Sequence, residues 1–206
     1  MIKANHTRLW QLLSKYHTKI LIGFFFGSVK YYGNYEEKGL PILMIANHFS
    51  FYDGFIQILL NFKTLKRRLH FMMLEEELRK NMQLTKLGAC SIDKGKRSSL
   101  ESLAYAVEIL QHKENLFLFF PQGKIESVHT RNFTFEKGLL SYILKKAKNE
   151  FQLILNVNLI HYGTNLRPDM CVYYKTYNIN SDTTAEDIER AYNSFAKTCF
   201  IKQGAK

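Results

Sequence analysis

Short apolar runs alternate with amphipathic segments along the chain. An apolar run of about four to eight residues between turn residues is typical of a strand buried on both faces. The predicted strands lie in "PILMIANH" at 41–48, "LKRRLHFMML" at 65–74 after a basic turn, "ACSID" at 89–93, "NLFLFF" at 115–120, "FQLILNVNLI" at 151–160 and "MCVYYKTYNI" at 170–179. Strands that alternate with helices predict an α/β fold, with a single mixed, mostly parallel sheet flanked by helices.

The segments between these strands have helical spacing. Predicted helices are "GFIQILLNF" at 54–62, the polar "EEELRKNMQLTKLG" stopped by Gly88, "SSLESLAYAVEILQHK" at 98–113, "LLSYILKKA" at 139–147 and the acidic-started "TTAEDIERAYNSFAKTCF" at 183–200. The helix at 98–113 has the clearest pattern, with a capping-box spacing at Ser98 and Glu101 and one apolar face made of Leu100, Leu103, Ala104, Val107 and Leu110. In such folds chemistry gathers where strands end in loops.

The first residues have a different character from the rest. Residues 7–30 are predicted to be helical, which divides the chain into an N-terminal amphipathic segment at 1–33 and an α/β domain at 34–206. The apolar run of this segment, "ILIGFFFGSV" at 20–29, has half the length of roughly 20 residues that a membrane-spanning helix needs. No secretory signal is expected either. Two interpretations stay open: a Trp-bearing, basic helix at a bilayer surface, or a helix packed on the domain's own core.

The net charge of the chain limits the classes of molecule that it is expected to bind. The chain has 29 Lys and Arg against 18 Asp and Glu, a formal charge of +11, which attracts nucleic acid, anionic lipid head groups or an acidic protein. Most of the 16 Phe lie inside apolar runs rather than among basic residues, so nucleic acid is not the expected partner. The three Cys form no Cys-x-x-Cys pair, which predicts neither a metal site nor disulfides and indicates a reducing cytosolic setting.

The stretch "MIANHFSFYDGF" at 44–55 carries the first candidate chemistry. On one continuous helix His48 and Asp53 would point about 140° apart and could not meet. Ser50 and Asp53 have capping-box spacing, which predicts a helix that begins at Ser50 and brings Asp53 to His48. Asp53 then either only caps the helix or holds the imidazole in one tautomer, so that it can take a proton from a hydroxyl. No Gly-x-Ser-x-Gly elbow is found, so such a base implies direct attack by a substrate hydroxyl.

Two other strand ends carry polar residues. "LFLFFPQGKIES" runs from a strand into a tight turn, Pro121-Gln122-Gly123, with Lys124 at its tip. "LGACSIDKGK" places Asp93 and Lys94 after a short strand. Taken alone, the first is an ordinary strand-to-turn corner and the second is a solvated run of charges.

These stretches resemble, in this order, the blocks of the glycerolipid acyltransferase family, which includes the 1-acyl-glycerol-3-phosphate acyltransferases. "NHFSFYD" resembles the Asn-His-x-Ser-x-x-Asp signature, "GACSIDK" is similar to Gly-x-x-Phe-Ile-Asp-Arg, and "FPQGKIES" is similar to Phe-Pro-Glu-Gly-Thr-Arg-Ser. "FEKGLL" resembles the Phe-Lys-x-Gly segment that follows, and "ILNVNLIHYG" lies where a fourth block is expected. The resemblance covers about positions 40–165.

The resemblance implies transfer of a fatty acyl group from a thioester to a lipid hydroxyl. His48 matches the general base and Asp53 its orienting carboxylate. The other matched positions are expected to bind or position the acceptor: Asn47, Ser50, Asp93, Lys94, Pro121, Gln122, Gly123 and Lys124. No metal and no cofactor are expected beyond the thioester donor, which is either acyl-coenzyme A or acyl-carrier protein.

Several positions depart from the family pattern, and Lys94 stands where the second block has an acceptor-binding Arg. Gln122 replaces a Glu, Ile125 lies where a phosphate-binding Arg is expected, and Asn158 replaces a Pro of the fourth block. An apolar side chain cannot bind phosphate, so an acceptor other than lysophosphatidate, such as a glycolipid, an ornithine-type lipid or a pigment hydroxyl, is one hypothesis. Lys124 or Arg131 could instead supply the missing charge.

The expected location is the cytoplasmic face of the inner membrane, where a basic protein contacts anionic lipids. Each basic residue close to such a surface contributes about 1 kcal/mol. The rival interpretation is a non-catalytic lipid-binding or scaffold protein of the same fold, in which the third block has lost its function.

Overall fold

The computed structural model describes residues 1–93, 98–147 and 150–204. The helices are α1 (Arg8–Phe25), α2 (Asp53–Leu60), α3 (Glu75–Lys80), α4 (Ser98–Ile109), α5 (Lys137–Lys146) and α6 (Ala185–Gly204). The strands are β1 (Val29–Asn34), β2 (Ile42–Ala46), β3 (Arg68–Leu74), β4 (Ala89–Ile92), β5 (Asn115–Phe119), β6 (Gln152–His161) and β7 (Asp169–Tyr177). A π-helical turn at Asn61–Leu65 extends α2, and a 3-10 helix covers Met82–Leu87.

All seven strands form one sheet in the order β1-β7-β6-β2-β5-β3-β4. Only the β6–β7 pair is antiparallel, so the five strands from β6 to β4 point the same way and end at the same edge. This confirms the predicted fold class, a mixed and mostly parallel sheet flanked by helices. The edge at which those five strands end is called the C-terminal edge below.

Helices cover both faces of the sheet. The β2 residues are fully buried, and alternate side chains enter two separate cores. Leu43 and Ile45 pack with residues of α4, α5 and α6, whereas Met44 and Ala46 pack with residues of α1 and α2. A strand whose two faces are both covered has a continuous run of apolar residues in its sequence, which is why the sequence pattern located β2 correctly.

The N-terminal segment differs from its prediction. The helix predicted over 7–30 ends at Phe25, and Val29–Asn34 form β1, which pairs in parallel with β7. Gly27 and Ser28 interrupt the helix, and the Val and Tyr residues after them favour a strand. The predicted domain boundary between positions 33 and 34 therefore falls inside β1.

The first residues of the chain follow the outer side of β4. The backbone N–H of Ile2 donates to Ser91 Oγ at 2.7 Å, and the backbone N–H of Ser91 donates to the Ile2 carbonyl at 2.9 Å. Asn5 N donates to the Thr85 carbonyl at 2.9 Å. The segment thus covers the edge of β4 that would otherwise be open.

Two predicted helices differ in detail. The polar helix at 75–88 is divided into α3 and the 3-10 helix, and Gly88 ends it as predicted, with φ at 110° and no room for a Cβ beside the Leu69 carbonyl. The predicted apolar face at 98–113 holds only in part: Leu110, just after α4, is buried as predicted, but Leu100 is 59% exposed and Ala104 is exposed. Ala106 and Ile109, which were not assigned to that face, are buried. The serine hydroxyl of Ser102 enters the packed face because it donates to the Ser91 carbonyl at 2.8 Å. The predicted Ser98 cap lies outside the described side chains.

One face of α1 is apolar and exposed. Ile22 on the opposite face is buried against α2, so the helix packs on the domain core. The exposed side chains, called the α1 stripe below, are Leu9, Leu12, Leu13, Tyr16, Ile20 and Phe24. In the ranges that the structure describes, no helix is long and apolar enough to cross a bilayer.

Candidate active site

His48 and Asp53 meet at the C-terminal edge, just beyond β2. His48 Nδ1 lies 2.8 Å from Asp53 Oδ2. The Asp53 side chain is fully buried and the His48 side chain is 25% exposed. Because a carboxylate only accepts hydrogen bonds, it fixes the imidazole proton on Nδ1 and leaves the lone pair on Nε2. The predicted encounter of the two side chains is therefore present, with a nitrogen free to accept a proton.

The turn before α2 holds the Asp53 carboxylate. Oδ2 also accepts the backbone N–H groups of Phe49 at 2.7 Å and Ser50 at 2.8 Å, and Oδ1 accepts the Ser50 hydroxyl at 3.1 Å. Ser50 Oγ in turn accepts the Tyr52 N–H at 3.1 Å. The helix begins at Asp53 rather than at Ser50, since residues 50–52 form a hydrogen-bonded turn. Of the predicted capping box, only the bond from the Ser50 N–H to the Asp53 carboxylate is present, because Ser50 Oγ accepts the Tyr52 N–H instead of the Asp53 N–H.

Asn47 anchors the end of β2 to β6. Its Nδ2 donates to the Asn158 carbonyl at 2.9 Å, and its Oδ1 accepts the Asn158 N–H at 2.8 Å. The Asn47 side-chain amide thus replaces the backbone of β2 as hydrogen-bond partner of β6, and it extends the ladder between these two strands by one residue. Asn47 is only 4% exposed, so its amide positions His48 from behind and faces protein backbone rather than a ligand.

Tyr192 of α6 supports the same strand ends from the other face. It is fully buried, and its hydroxyl donates to the Asn156 carbonyl at 2.7 Å. Burial raises the pKa of Tyr192 well above its ordinary value, so the phenol stays protonated and keeps donating. No motif indicated this residue, because its partner is distant in sequence and it lies in an amphipathic helix like any core aromatic.

Gln122 connects the third block to the backbone of His48. Its Oε1 accepts the His48 N–H at 2.6 Å, and its Nε2 donates to Glu126 Oε2 at 2.6 Å. The backbone N–H of Glu126 donates to the His48 carbonyl at 2.9 Å. Both peptide groups beside the His48 Cα are thus held by the loop after β5. Glu126 was not among the predicted site residues.

The turn after β5 has the geometry that its sequence suggests. Gly123 has φ at 66°, so its backbone conformation favours glycine, and a Cβ there would also require the end of the Glu136 side chain to shift. Pro121 is buried, and its carbonyl accepts the Glu136 N–H at 2.6 Å. Lys124 at the tip is 72% exposed, with its ammonium 3.5 Å from Glu126 Oε1. Phe120, which sequence reasoning did not single out, stacks on the His48 ring at 4.5 Å.

Comparison with known proteins decides the family. A family model described as Acyltransferase matches residues 28–155, more than half of the chain. The chain belongs to this acyltransferase family. No curated protein matches the sequence. Among solved structures, the fold is similar to the 1-acyl-sn-glycerophosphate (LPA) acyltransferase PlsC from Thermotoga maritima, with a TM-score of 0.62 and 17% identity over 95% of this chain and 81% of that one.

The matched range spans all three blocks that suggested the family, so that prediction is confirmed. In this acyltransferase the second block lies apart from the other two. Asp93 follows β4, which is separated from β2 by β5 and β3, so it lies about 14 Å along the edge from His48 at the usual strand spacing. The Asp93 carbonyl accepts the Ser99 hydroxyl at 2.5 Å. Lys94 lies outside the described residues.

The departure at Gln122 has a local physical reason in this acyltransferase. A Glu at this position would place a second carboxylate next to Glu126 and would lose the N–H group that now bonds it. Two carboxylates at such a distance repel, and one of them must take up a proton. Gln122 and Glu126 therefore fit each other as a neutral donor and a charged acceptor. Ile125 between them is 57% exposed and carries no charge.

The cysteines of this acyltransferase are not placed for catalysis. Cys90, Cys171 and Cys199 are buried and form no disulfide. Burial raises the pKa of the Cys90 and Cys199 thiols to about 12, so neither is a thiolate at neutral pH. Within residues 1–93, 98–147 and 150–204, no three His, Cys, Asp or Glu side chains are grouped as metal ligands would be.

Proposed function

We propose that this acyltransferase moves a fatty acyl group from a thioester to a hydroxyl group of a membrane lipid, with His48 as the general base. The observation that supports this most directly is the His48–Asp53 pair, 2.8 Å apart, with the carboxylate buried and the imidazole open to solvent on one side. A purely structural cap would not need an imidazole at this position. A scaffold protein would not need Nε2 to keep its lone pair.

The proposed reaction is a direct displacement. His48 Nε2 removes the proton of the lipid hydroxyl as that oxygen attacks the thioester carbonyl carbon. The tetrahedral intermediate collapses, the carbon–sulfur bond breaks, and the thiolate takes the proton from the imidazolium. Asp53 keeps the ring oriented and stabilises its positive charge. The products are an ester and a free thiol, so atoms and charge balance without a metal or a cofactor.

A covalent acyl-enzyme is not part of this proposal. The only aliphatic hydroxyl in the turn between His48 and Asp53 belongs to Ser50, whose Oγ donates to Asp53 and accepts from Tyr52. The three thiols are buried. Neither group is arranged as a nucleophile next to a base. The attacking oxygen is therefore assigned to the acceptor.

An exposed apolar surface beside His48 supports the proposal that the protein works at a membrane surface. Phe51, within the turn that connects His48 to Asp53, is 75% exposed. It contacts Tyr52 of the same turn, with ring centroids 6.1 Å apart. Tyr52 contacts Phe25 at 4.6 Å, and Phe25 contacts Phe24 of the α1 stripe at 5.1 Å. The α1 stripe and the catalytic turn thereby form one apolar surface, and a bilayer against it would bring lipid hydroxyls to His48. Arg8 and Lys19 on α1 are exposed and suited to anionic head groups.

The surface proposal predicts a loss of vesicle binding. Replacing Ile20 and Phe24 together with serine is expected to weaken binding to phosphatidylglycerol vesicles at least about tenfold, because each large apolar side chain contributes about 1.5–3 kcal/mol when fully buried. Both side chains are more than 70% exposed, so the fold is expected to survive. Vesicle cosedimentation measures the effect. Leu100→Ser with Ile201→Ser, two exposed apolar residues elsewhere, is the control, and equal weakening in both would contradict the proposal.

Thiol release tests the reaction itself. Purified protein, acyl-coenzyme A or acyl-carrier protein, and a panel of lipids are expected to release thiol only when a suitable acceptor is present, and the mass of the new lipid names that acceptor. The panel pairs each phosphate-bearing lysolipid with its phosphate-free counterpart, because Ile125 leaves the acceptor class open. Thiol release that is absent with both donors and every lipid would favour a lipid-binding protein without catalysis.

A further inference from the structure

A cleft of about 450 Å³ opens at the C-terminal edge beyond β6. Its walls are the loop at 128–131, the end of β6 and the last turns of α6. Four of its lining residues, at 159–162, belong to the fourth sequence block, and none of its residues is used in the reaction described above. It is, however, adjacent to the loop that holds His48.

The chemistry of the cleft suits an anion attached to an apolar chain. Arg131, His129 and His161 line it, and none of the described residues that line it is Asp or Glu. Leu159 and Phe200 supply apolar wall. The Arg131 guanidinium lies 4.0 Å from the centre of the Phe200 ring, which supports its planar group while leaving its N–H donors on the exposed side. Guanidinium and imidazole groups together are typical of phosphate recognition.

Two short connections link the cleft to His48. On one side, the Glu126 N–H donates to the His48 carbonyl, and Val128 of the cleft follows two residues later. On the other side, Asn158 is bonded to Asn47, and His161 lies three residues farther along β6, or about 10 Å at the rise of a strand. A ligand in the cleft is thus within one substrate length of the proposed base.

We propose that this cleft binds the phosphate ester of one of the two substrates, with Arg131 as its main contact and the two imidazoles beside it. The proposal rests on the proposed acyl transfer. It also accounts for the missing charge at Ile125: the positive group lies six residues later in the same loop, on the far side of Glu126. A phosphate ester can come from a lysophospholipid acceptor or from the pantetheine phosphate of the donor, and the two sources are separable by experiment.

Equilibrium binding of paired probes tests the site. One pair is 1-dodecanoyl-glycerol 3-phosphate and 1-dodecanoyl-glycerol; the other is dodecanoyl-coenzyme A and dodecanoyl-pantetheine. Arg131→Gln is expected to weaken binding of the phosphate-bearing member of one pair about tenfold or more, because a charge-assisted hydrogen bond is lost. The phosphate-free member keeps its affinity. The pair that responds identifies which substrate occupies the cleft.

A second variant tests the cleft without changing charge. Gly204 lines it and has open space where a Cβ would lie, so Gly204→Trp is expected to fill the cleft and weaken the same probe, while Gly204→Ala leaves binding unchanged. The charge control is Arg190→Gln, because Arg190 lies on α6, like Gly204, but is paired with Asp187.

The proposal is overturned by unchanged affinities in Arg131→Gln and Gly204→Trp, by an equal effect of Arg190→Gln, or by a wild-type protein that binds neither phosphate-bearing probe. Binding is measured without turnover, so a failure of acyl transfer leaves this result readable.

Discussion

His48→Ala is expected to lower kcat for acceptor-dependent thiol release by about 10³-fold, within the range that general-base catalysis contributes. The variant removes Nε2, the nitrogen assigned to the acceptor's proton, and nothing else in the site can replace it at the same place. Ser50 is engaged by Asp53 and Tyr52, and Lys124 is held near Glu126. The remaining rate would come from binding the two substrates side by side.

The loss must be separated from a loss of folding. His48 is partly exposed, and its side chain gives Asp53 only one of four hydrogen bonds, so we expect the free energy of unfolding to fall by about 1–2 kcal/mol. Thermal unfolding measures this. His112→Ala, an exposed histidine at the opposite edge of the sheet, is the matched control and is expected to keep wild-type kcat. Equal activity in the two variants would remove His48 from the mechanism.

Asp53→Asn is expected to lower kcat by on the order of 10²-fold while the protein remains folded. The amide oxygen can take the place of Oδ2 and accept the same three N–H groups, with its NH₂ group facing the Ser50 hydroxyl oxygen. What the amide cannot supply is negative charge next to the imidazolium that forms during proton transfer. Activity should therefore fall far more than stability.

Ser50→Ala is compared with Asp53→Asn, because it changes the hydrogen bonds of the turn without removing the charge of Asp53. It removes the hydroxyl bond to Asp53 Oδ1 and the cap of the Tyr52 N–H, but it leaves the three bonds at Oδ2 and the charge intact. We expect a loss of stability of about 1 kcal/mol and less than a tenfold change in kcat. If Asp53→Asn instead keeps wild-type kcat and loses only stability, Asp53 is a helix cap and not a partner of the base.

Local patterns predicted those parts of the site that lie close together in the sequence. The encounter of His48 and Asp53 could be inferred because the Ser50 cap acts over three residues. The turn at Gly123 could be inferred from the residue types it contains. The helix at 7–30 was placed wrongly after Phe25, since an apolar run with Gly and aromatic residues suits either a helix or a strand until pairing with β7 decides it.

The residues that were missed act across the sheet. Tyr192 reaches Asn156 from α6, and Glu126 reaches the His48 backbone from the loop after β5. Phe120 stacks on His48 only because β2 and β5 are neighbours in the sheet. Each of these contacts joins segments that no local rule connects, and each residue type also has an ordinary role in a core or on a surface.

The sequence by itself determined the alternation of strands and helices, the family and the two residues of the proposed base, because each depends on spacing within a few positions. The tertiary structure alone decided the strand order that brings the ends of β2, β5 and β6 together. It also decided that the second block lies well apart from His48, and that a basic cleft adjoins the loop holding it. The physical reason is that strand order and the packing of α6 depend on the burial of distant apolar surfaces, which periodicity along the chain does not encode.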